Sequence, residues 1–463
     1  MINFGGEMGS TKKILCVNRT TLGLILLSAG MTMPLSSNAA KLADSPGLTE
    51  LQSATGAAVQ AVCVALIPTN TPVSNPVTAE QDLFNQCASM VQTSNRLQGG
   101  NSGLQDLGIT AEELGSALQN VATEEMATPS RISMNTLSGQ VAQVNGHLFD
   151  VHKMSQGFGG SGGDDEGSFL TSGFSTFVNG VGGFGEVDRS SRENSADFYS
   201  AGVIVGVDYR FNNNFVAGLA GGYSYLDADF DNSFNVSGGG VDADIYNVSL
   251  FASYDLDNFY VDGSFTYGWS DYDVDRGVVV LVSDSSTSFG GANRTAKSSP
   301  DGEQYSAGMG FGYNHNHEAF NIRPYARLDY YHGNIDSYKE SGAFGLNLAV
   351  DEQNFESLQS VLGTQLSYTF SQSFGVIIPQ INFGWNHEFL NKSRDINARY
   401  TADPNNFTLT AVTNGADNDY FTLGAGVSSV LQGGAQLYFN YTSLLGYSHV
   451  ESNSFEAGFR LEF

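Results

Sequence analysis

Cysteine is the residue type in this chain whose chemistry follows most directly from its number. Of the three cysteines, Cys16 lies in an amino-terminal stretch with the features of a removable leader, which leaves Cys63 and Cys87. An even pair in an exported chain predicts a disulfide; two buried thiols are the alternative. Two cysteines without a neighbouring histidine do not make a zinc site.

Three charged residues alternate along one predicted strand, at residues 319–335. Arg323, Arg327 and Asp329 share one parity, and an apolar set occupies the other. An arginine at the lipid midplane of a membrane sheet costs roughly 2 to 4 kcal/mol, so this parity is expected to face a protein lumen. There the three charges could hold a helix or tune ion passage; an internal ion-pair network that supports the wall is the alternative.

Recognisable catalytic patterns are missing from the sequence. It contains no Gly-x-Ser-x-Gly elbow and no His-Glu-x-x-His motif. His315 and His317 flank Asn316 at a predicted hairpin turn, but two ligands on a solvated turn make a weak metal site. We therefore expect no enzyme activity, no cofactor and no resident metal.

The composition favours a membrane barrel over an average soluble domain. The 463 residues include 55 glycines and 12% aromatics, whereas only 15% are charged. Small lumen residues alternating with lipid-facing rings give such a composition. The formal net charge of −28 excludes a nucleic-acid partner, because binding to phosphates requires a basic surface.

Residues 1–40 resemble a secretory signal peptide. Lys12, Lys13 and Arg19 precede an apolar run at residues 22–27, and small residues near Ala39 supply a cleavage site. That run is too short for a spanning helix, which requires about 20 apolar residues, and no other segment reaches that length. Membrane residence must therefore come from strands.

Helical periodicity marks the chain up to about residue 156. Residues 41–129 predict a short helical module in which Cys63 and Cys87 staple two helices, and Thr110 opens a third helix that extends to about Ala127. Residues 130–156 predict a polar helix about 35 Å long, enough to lie inside a barrel; a surface helix packed on the first three is the alternative. Residues 157–171 are a Gly-rich linker.

From residue 172 to residue 463 the side chains alternate with a period of two. Twelve runs follow this pattern, and the last, residues 452–463, keeps its period to the final phenylalanine. Alternation alone also fits a soluble sandwich. The connections distinguish a membrane barrel from a soluble sandwich. Very short turns alternate with mostly long, polar loops such as 273–302, 336–354 and 391–419. Short turns at one end and long loops at the other indicate a closed, antiparallel 12-stranded transmembrane β-barrel.

This layout resembles the translocator domain of autotransporters (type V secretion). The likeness is carried by the pore-length helix, the linker, the barrel, and the sequences FVNGVGGFG at residues 177–185 and GFRLEF at residues 458–463. The resemblance implies a monomeric protein of the Gram-negative outer membrane that brings its upstream segment to the cell surface. It also implies that Phe459, Leu461 and Phe463 form a signal for the barrel-assembly machinery, with periplasmic chaperones as further partners and membrane lipid around the barrel.

Two other functions remain open at this point. The barrel could be an outer-membrane pore or channel whose helical segment is a periplasmic domain or plug. It could also be a surface adhesin that binds a partner through its acidic extracellular loops.

Overall fold

The computed structural model describes residues 41–463 except 102, 104, 156–172, 231–238, 284–287 and 432–433. The expected signal peptide (residues 1–40) and the Gly-rich linker (157–171) lie outside the described residues. Both remain predictions from the sequence.

Twelve antiparallel strands form the body of the molecule. They are β1 (Phe174–Val187), β2 (Ala196–Asn212), β3 (Phe215–Phe230), β4 (Gly240–Leu256), β5 (Phe259–Val280), β6 (Asp301–Tyr313), β7 (Phe320–Ile335), β8 (Gln353–Tyr368), β9 (Gly375–Glu388), β10 (Asp419–Leu431), β11 (Ala435–Leu445) and β12 (Val450–Glu462). Each strand pairs with its neighbour in the chain, and β12 pairs with β1 from Val187–Val450 to Ser175–Glu462. The predicted closed twelve-stranded barrel is confirmed, and closure leaves none of the twelve strands at a free edge.

The two faces of the wall differ as the alternation predicts. On β5 the side chains of Phe265 and Trp269 are 46% and 43% exposed, whereas Thr266 and Ser270 point inward and are buried. A soluble sandwich would bury its rings, so these outward rings indicate lipid contact. Outward rings also flank the short turns, where they suit the membrane interface.

The long connections are more structured than their composition suggested. Strand β5 continues to Val280 and pairs with a further strand, Ala292–Ser298, within the segment expected to be a loop. Four short strands from the next two long connections form a separate sheet: Tyr338–Lys339, Leu348–Val350, Asp395–Tyr400 and Leu409–Val412. The expectation of plain polar loops was wrong, because apolar side chains of these strands are covered by the amino-terminal helices.

Within the described residues, three α-helices precede the helix of the pore: α1 (Glu50–Leu66), α2 (Ala79–Leu97) and α3 (Ala111–Asn120). The Thr110 hydroxyl accepts from the Glu113 amide and the Glu113 carboxylate accepts from the Thr110 amide, so the predicted capping box is present. α3 ends seven residues earlier than expected and is followed by a 3-10 turn, Glu124–Ala127. Among the described residues, no helix is both long and apolar enough to cross a membrane.

Residues 41–127, which we call the cap, share one buried core with the long connections. Leu51, Phe84 and Leu114 from the cap belong to the same apolar cluster as Leu348 and Ile396 from the separate sheet. The cap therefore lies across the long-loop mouth of the barrel.

A fourth helix, α4 (Thr128–Ser155), lies inside the barrel. It contacts the inner faces of β2 to β8. The predicted helix in the pore is confirmed, and the alternative of a surface helix is excluded. Its polar residues suit this place, because most lumen-facing wall residues are polar as well.

Candidate functional site

The pore helix runs from the long-loop mouth to the short-turn end of the barrel. Near its start, the Ser133 and Tyr272 hydroxyls share a hydrogen bond toward the long-loop end of β5. Midway, Gln140 Nε2 donates to Ser224 Oγ at 3.3 Å. Near its end, His147 Nε2 lies 2.9 Å from Asp208 Oδ2, close to the short turn after β2. The cap thus lies at one end of the pore, and α4 ends at Ser155 toward the other.

Toward the short-turn end of the barrel, α4 packs closely against the wall. The His147 ring stacks on Phe177 with 3.7 Å between ring centroids and meets Phe251 edge-on at 5.3 Å. Val144 and Leu148 join the same two rings in a buried apolar cluster. The sequence did not indicate His147 as a site residue, because a single histidine in a polar helix carries no spacing signal.

Asp208 links the helix to the strands that close the barrel. Arg460 Nη2 on β12 lies 3.2 Å from Asp208 Oδ1 and donates to Ser175 Oγ on β1 at 2.9 Å. His147, Asp208 and Arg460 are each at least 97% buried. A pore-helix residue is therefore held by a charged pair that spans the seam where the first and last strands meet.

The three predicted lumen charges all face inward and are buried. Arg327 Nη2 lies 2.9 Å from Asp329 Oδ1, and Arg323 Nε donates to Asn314 Oδ1 at 2.6 Å with its guanidinium over the Tyr260 ring. The structure thus pairs Arg327 with Asp329 but gives Arg323 a different neighbourhood. These contacts favour support of the wall as their role, which remains a prediction.

A cavity of about 960 Å³ lies beside α4. The helix leans mainly on β2 to β8, and the cavity extends along the inner faces of β9 to β12. Amide, hydroxyl and glycine residues line this part of the cavity, among them Asn382, Thr422, Asn440, Thr442 and Ser454. The helix therefore occupies the pore off-centre.

A buried ion pair fastens the cap to the long connections. Arg276 donates from Nη2 to Glu340 Oε2 at 2.6 Å and from Nε to Oε1 at 2.8 Å, and both side chains are 99% buried. Arg276 also donates to the carbonyl of Asn120 at the end of α3 and to that of Leu346. The Glu340 carboxylate raises the pKa of Arg276 against the opposing effect of burial. Sequence reasoning missed this pair, because both partners lie in segments expected to be plain loops.

Glu125 lies close to this pair, where the cap meets the pore helix. Its Oε2 is buried and accepts no hydrogen bond from the described residues. Burial raises the pKa of Glu125 to about 7, with Arg276 opposing and Glu340 assisting the shift. The folded cap therefore binds a proton here more tightly than the unfolded chain does.

We expect cap stability to fall as the pH rises from about 4.5 to about 7. The folded pKa of Glu125 exceeds its ordinary value of 4.5, so ionisation above pH 4.5 favours the unfolded cap, by an amount on the order of 2 to 3 kcal/mol. Protease resistance of the cap on intact cells, compared at pH 5 and pH 7.5, measures this difference. Glu125→Gln should largely remove the difference; if it persists in the variant, Glu125 is not its source.

The structure joins Cys63 in α1 to Cys87 in α2, with their Cα atoms 5.5 Å apart. Both lie in the shared core. A crosslink that closes a loop of 24 residues contributes roughly 3 kcal/mol by restricting the unfolded chain.

Replacing both cysteines should loosen the cap without unfolding the barrel. We expect Cys63→Ser/Cys87→Ser to lower cap stability by roughly 3 kcal/mol, measured by limited proteolysis on intact cells. The barrel should keep its heat-modifiable gel migration. If the double variant resists protease as the parent does, the bond contributes little to the displayed form.

The proposed assembly residues lie on the outer face of the closing strand. Phe459 and Phe463 are 41% and 47% exposed, and Leu461 has the same outward parity. The Phe463 amide donates to the carbonyl of Phe174 at 2.9 Å, so the last residue still pairs with β1. Their role in assembly remains a prediction.

His315 and His317 are exposed on a short strand beside a tight turn. Across the part of the chain that the structure describes, no group of three or more histidine, cysteine, aspartate or glutamate residues is arranged to hold a metal ion.

A closed barrel with lipid-facing rings, short turns at one end and an occupied pore defines an outer-membrane β-barrel protein. A family model described as the autotransporter beta-domain matches residues 176–442, more than half of the chain. The chain belongs to the autotransporter family, and its barrel is a transporter domain of the Gram-negative outer membrane.

Individual relatives are distant. The chain is 25% identical to esterase EstA of Pseudomonas aeruginosa over 245 residues, which cover 51% of this chain and 35% of that protein. It is 24% identical to outer membrane protein A of Rickettsia conorii over 278 residues, 59% of this chain and 13% of that protein. The chain thus spans about a third or less of the length of these relatives. The translocator domain of NalP from Neisseria meningitidis aligns with a TM-score of 0.49 at 16% identity, covering 71% of this chain and 98% of that one.

Proposed function

We propose that this barrel carries residues 41–127 through its pore to the cell surface and keeps them there as a docked cap. The observation that supports this most strongly is the position of the cap at the long-loop mouth, since long loops of outer-membrane barrels are extracellular. α4 runs through the pore from the cap toward the short-turn end, as a chain that has crossed the pore would. A periplasmic domain would instead lie at the short-turn end.

Retention at the surface follows from how the cap is packed. Its apolar residues share a core with the extracellular connections, and the buried Arg276 donates to the cap at Asn120. Releasing the cap would expose that core and break a charged network. The cap therefore acts as a fixed part of the surface structure.

The whole assembly acts in this proposal by transport and display, without catalysis. The supporting observation is the absence of a recognisable catalytic motif from the sequence. The similarity to an esterase extends over only 35% of that protein and does not by itself bring its activity to this chain.

An epitope tag in the cap tests the display. We would insert it between Asn75 and Pro76, in the connection between α1 and α2, where nearby Val77 is 82% exposed. Antibody should bind intact cells carrying this tag. A matched tag between Asn213 and Asn214, in the short turn after β2, should bind antibody only after the outer membrane is broken. If the cap tag also requires a broken membrane, the cap is periplasmic and the proposal fails.

Insertion is assigned in this proposal to the barrel-assembly machinery, with the aromatic face of β12 as its signal. Deleting Phe463 should lower the amount of inserted barrel, because the strand loses both an outward ring and its last backbone bond to β1. The heat-modifiable band in outer-membrane fractions measures insertion. Phe463→Tyr, which keeps a ring, should insert normally; parental levels of the deletion variant would contradict the assignment.

A further inference from the structure

Near the short turns, inward side chains from several strands are almost completely buried. Tyr260, Arg323, Ser428, Gln436 and Arg460 come from five different strands, and each is at least 98% buried. Each lies within five residues of the short-turn end of its strand. We call this layer the floor.

The pore helix contributes one ring to the floor. His147 fills the space between Phe177 and Phe251, while Val144 and Leu148 pack around the same rings. Gly206 makes room for this arrangement, because a Cβ atom there would meet the Phe177 ring at 2.3 Å. This buried apolar cluster adds a hydrophobic element to the otherwise polar floor, and hydrophobic constrictions oppose the passage of ions.

The lumen above the floor is open by comparison. Inward residues there, such as Thr422, Thr442 and Ser454, are only partly buried and line the cavity of about 960 Å³. The same cavity reaches Lys392, Ser393 and His449, which are exposed at the long-loop mouth. Water therefore has a path from the surface to the floor beside α4.

We propose that the permeability barrier of this pore is the floor alone, with His147 as the helix residue that completes it, and that the lumen above is a vestibule open to the cell surface. The helix does not block the pore along its length, since a cavity of about 960 Å³ remains beside it. The Asp208–Arg460 pair positions His147 in the floor from across the seam of the barrel. This inference concerns the pore only, and its test does not depend on whether the cap is displayed at the cell surface.

Conductance of single variants in planar bilayers locates the barrier. His147→Ala removes the ring and should raise conductance several-fold over the parent. Gln143 lies in the vestibule, one helical turn closer to the long-loop mouth, so Gln143→Ala should leave conductance unchanged. His147→Phe keeps a ring between Phe177 and Phe251 but loses the Asp208 bond, and it should keep the pore closed. Heat-modifiable migration establishes that each variant is folded.

Cysteine labelling of intact cells with a membrane-impermeant maleimide locates the vestibule. Thr442→Cys should react from outside, whereas Ser428→Cys in the floor should not. The proposal is overturned if Gln143→Ala opens the pore as His147→Ala does, if His147→Ala leaves a folded barrel closed, or if the two cysteine variants react equally.

Discussion

Removing residues 41–155 is expected to leave a folded barrel whose single-channel conductance is several-fold higher than that of a chain lacking only residues 41–127. The first deletion removes both the cap and α4, whereas the second leaves α4 in the pore. A twelve-stranded barrel is wider than an eight-stranded one, whose own side chains just fill the interior, so an unoccupied lumen conducts. Planar-bilayer recording of the two purified chains gives the comparison.

The shorter deletion is the matched control, because both chains lose the cap and expose the same loop surface. A barrel without residues 41–155 also lacks His147, so its floor should be incomplete even if the wall is unchanged. Equal conductance of the two chains would show that the wall closes the pore without the helix. Loss of heat-modifiable migration in the longer deletion alone would instead show that the helix is required for folding of the barrel.

The barrel was predictable because its signal is local. Each strand shows its lipid face through alternation, as Phe265 and Trp269 do on β5, and turn length fixes which end each strand reaches. The helix in the pore was predictable from its length and polarity. Neither inference requires information on contacts between residues that are far apart in the sequence.

The contacts that fasten these elements were not predictable, because they join residues far apart in sequence. His147 and Asp208 are 61 residues apart, and Arg276 and Glu340 are 64 apart. The segment containing Glu340 has few apolar residues and is typical of a loop in isolation, whereas residues 278–282 are five consecutive apolar residues, a strand signal that the assignment of a long loop overlooked. The short strands of the separate sheet bury Leu348 and Ile396 against the cap. Tertiary burial thus overrides a local preference for loops.

Breaking the Arg276–Glu340 pair from one side should release the cap. Arg276→Met leaves the Glu340 carboxylate buried without its partner and the carbonyls of Asn120 and Leu346 without their donor. Loss of one partner of a buried pair costs roughly 3 to 5 kcal/mol. Because cleavage follows the population of the open form, protease on intact cells should remove the cap roughly a hundredfold faster or more.

Two further variants separate this cause from general damage to the loops. Arg276→Met/Glu340→Gln removes both charges and should resist protease better than Arg276→Met alone, because no unpaired buried charge remains. Arg399→Met breaks the Arg399–Asp351 pair in the same small sheet, where the side chains are 38% and 53% exposed, and should cost at most about 1 kcal/mol. If Arg399→Met released the cap as readily as Arg276→Met, the cap would depend on the loop sheet as a whole. If neither did, the shared apolar core would be sufficient to retain the cap without the buried ion pair.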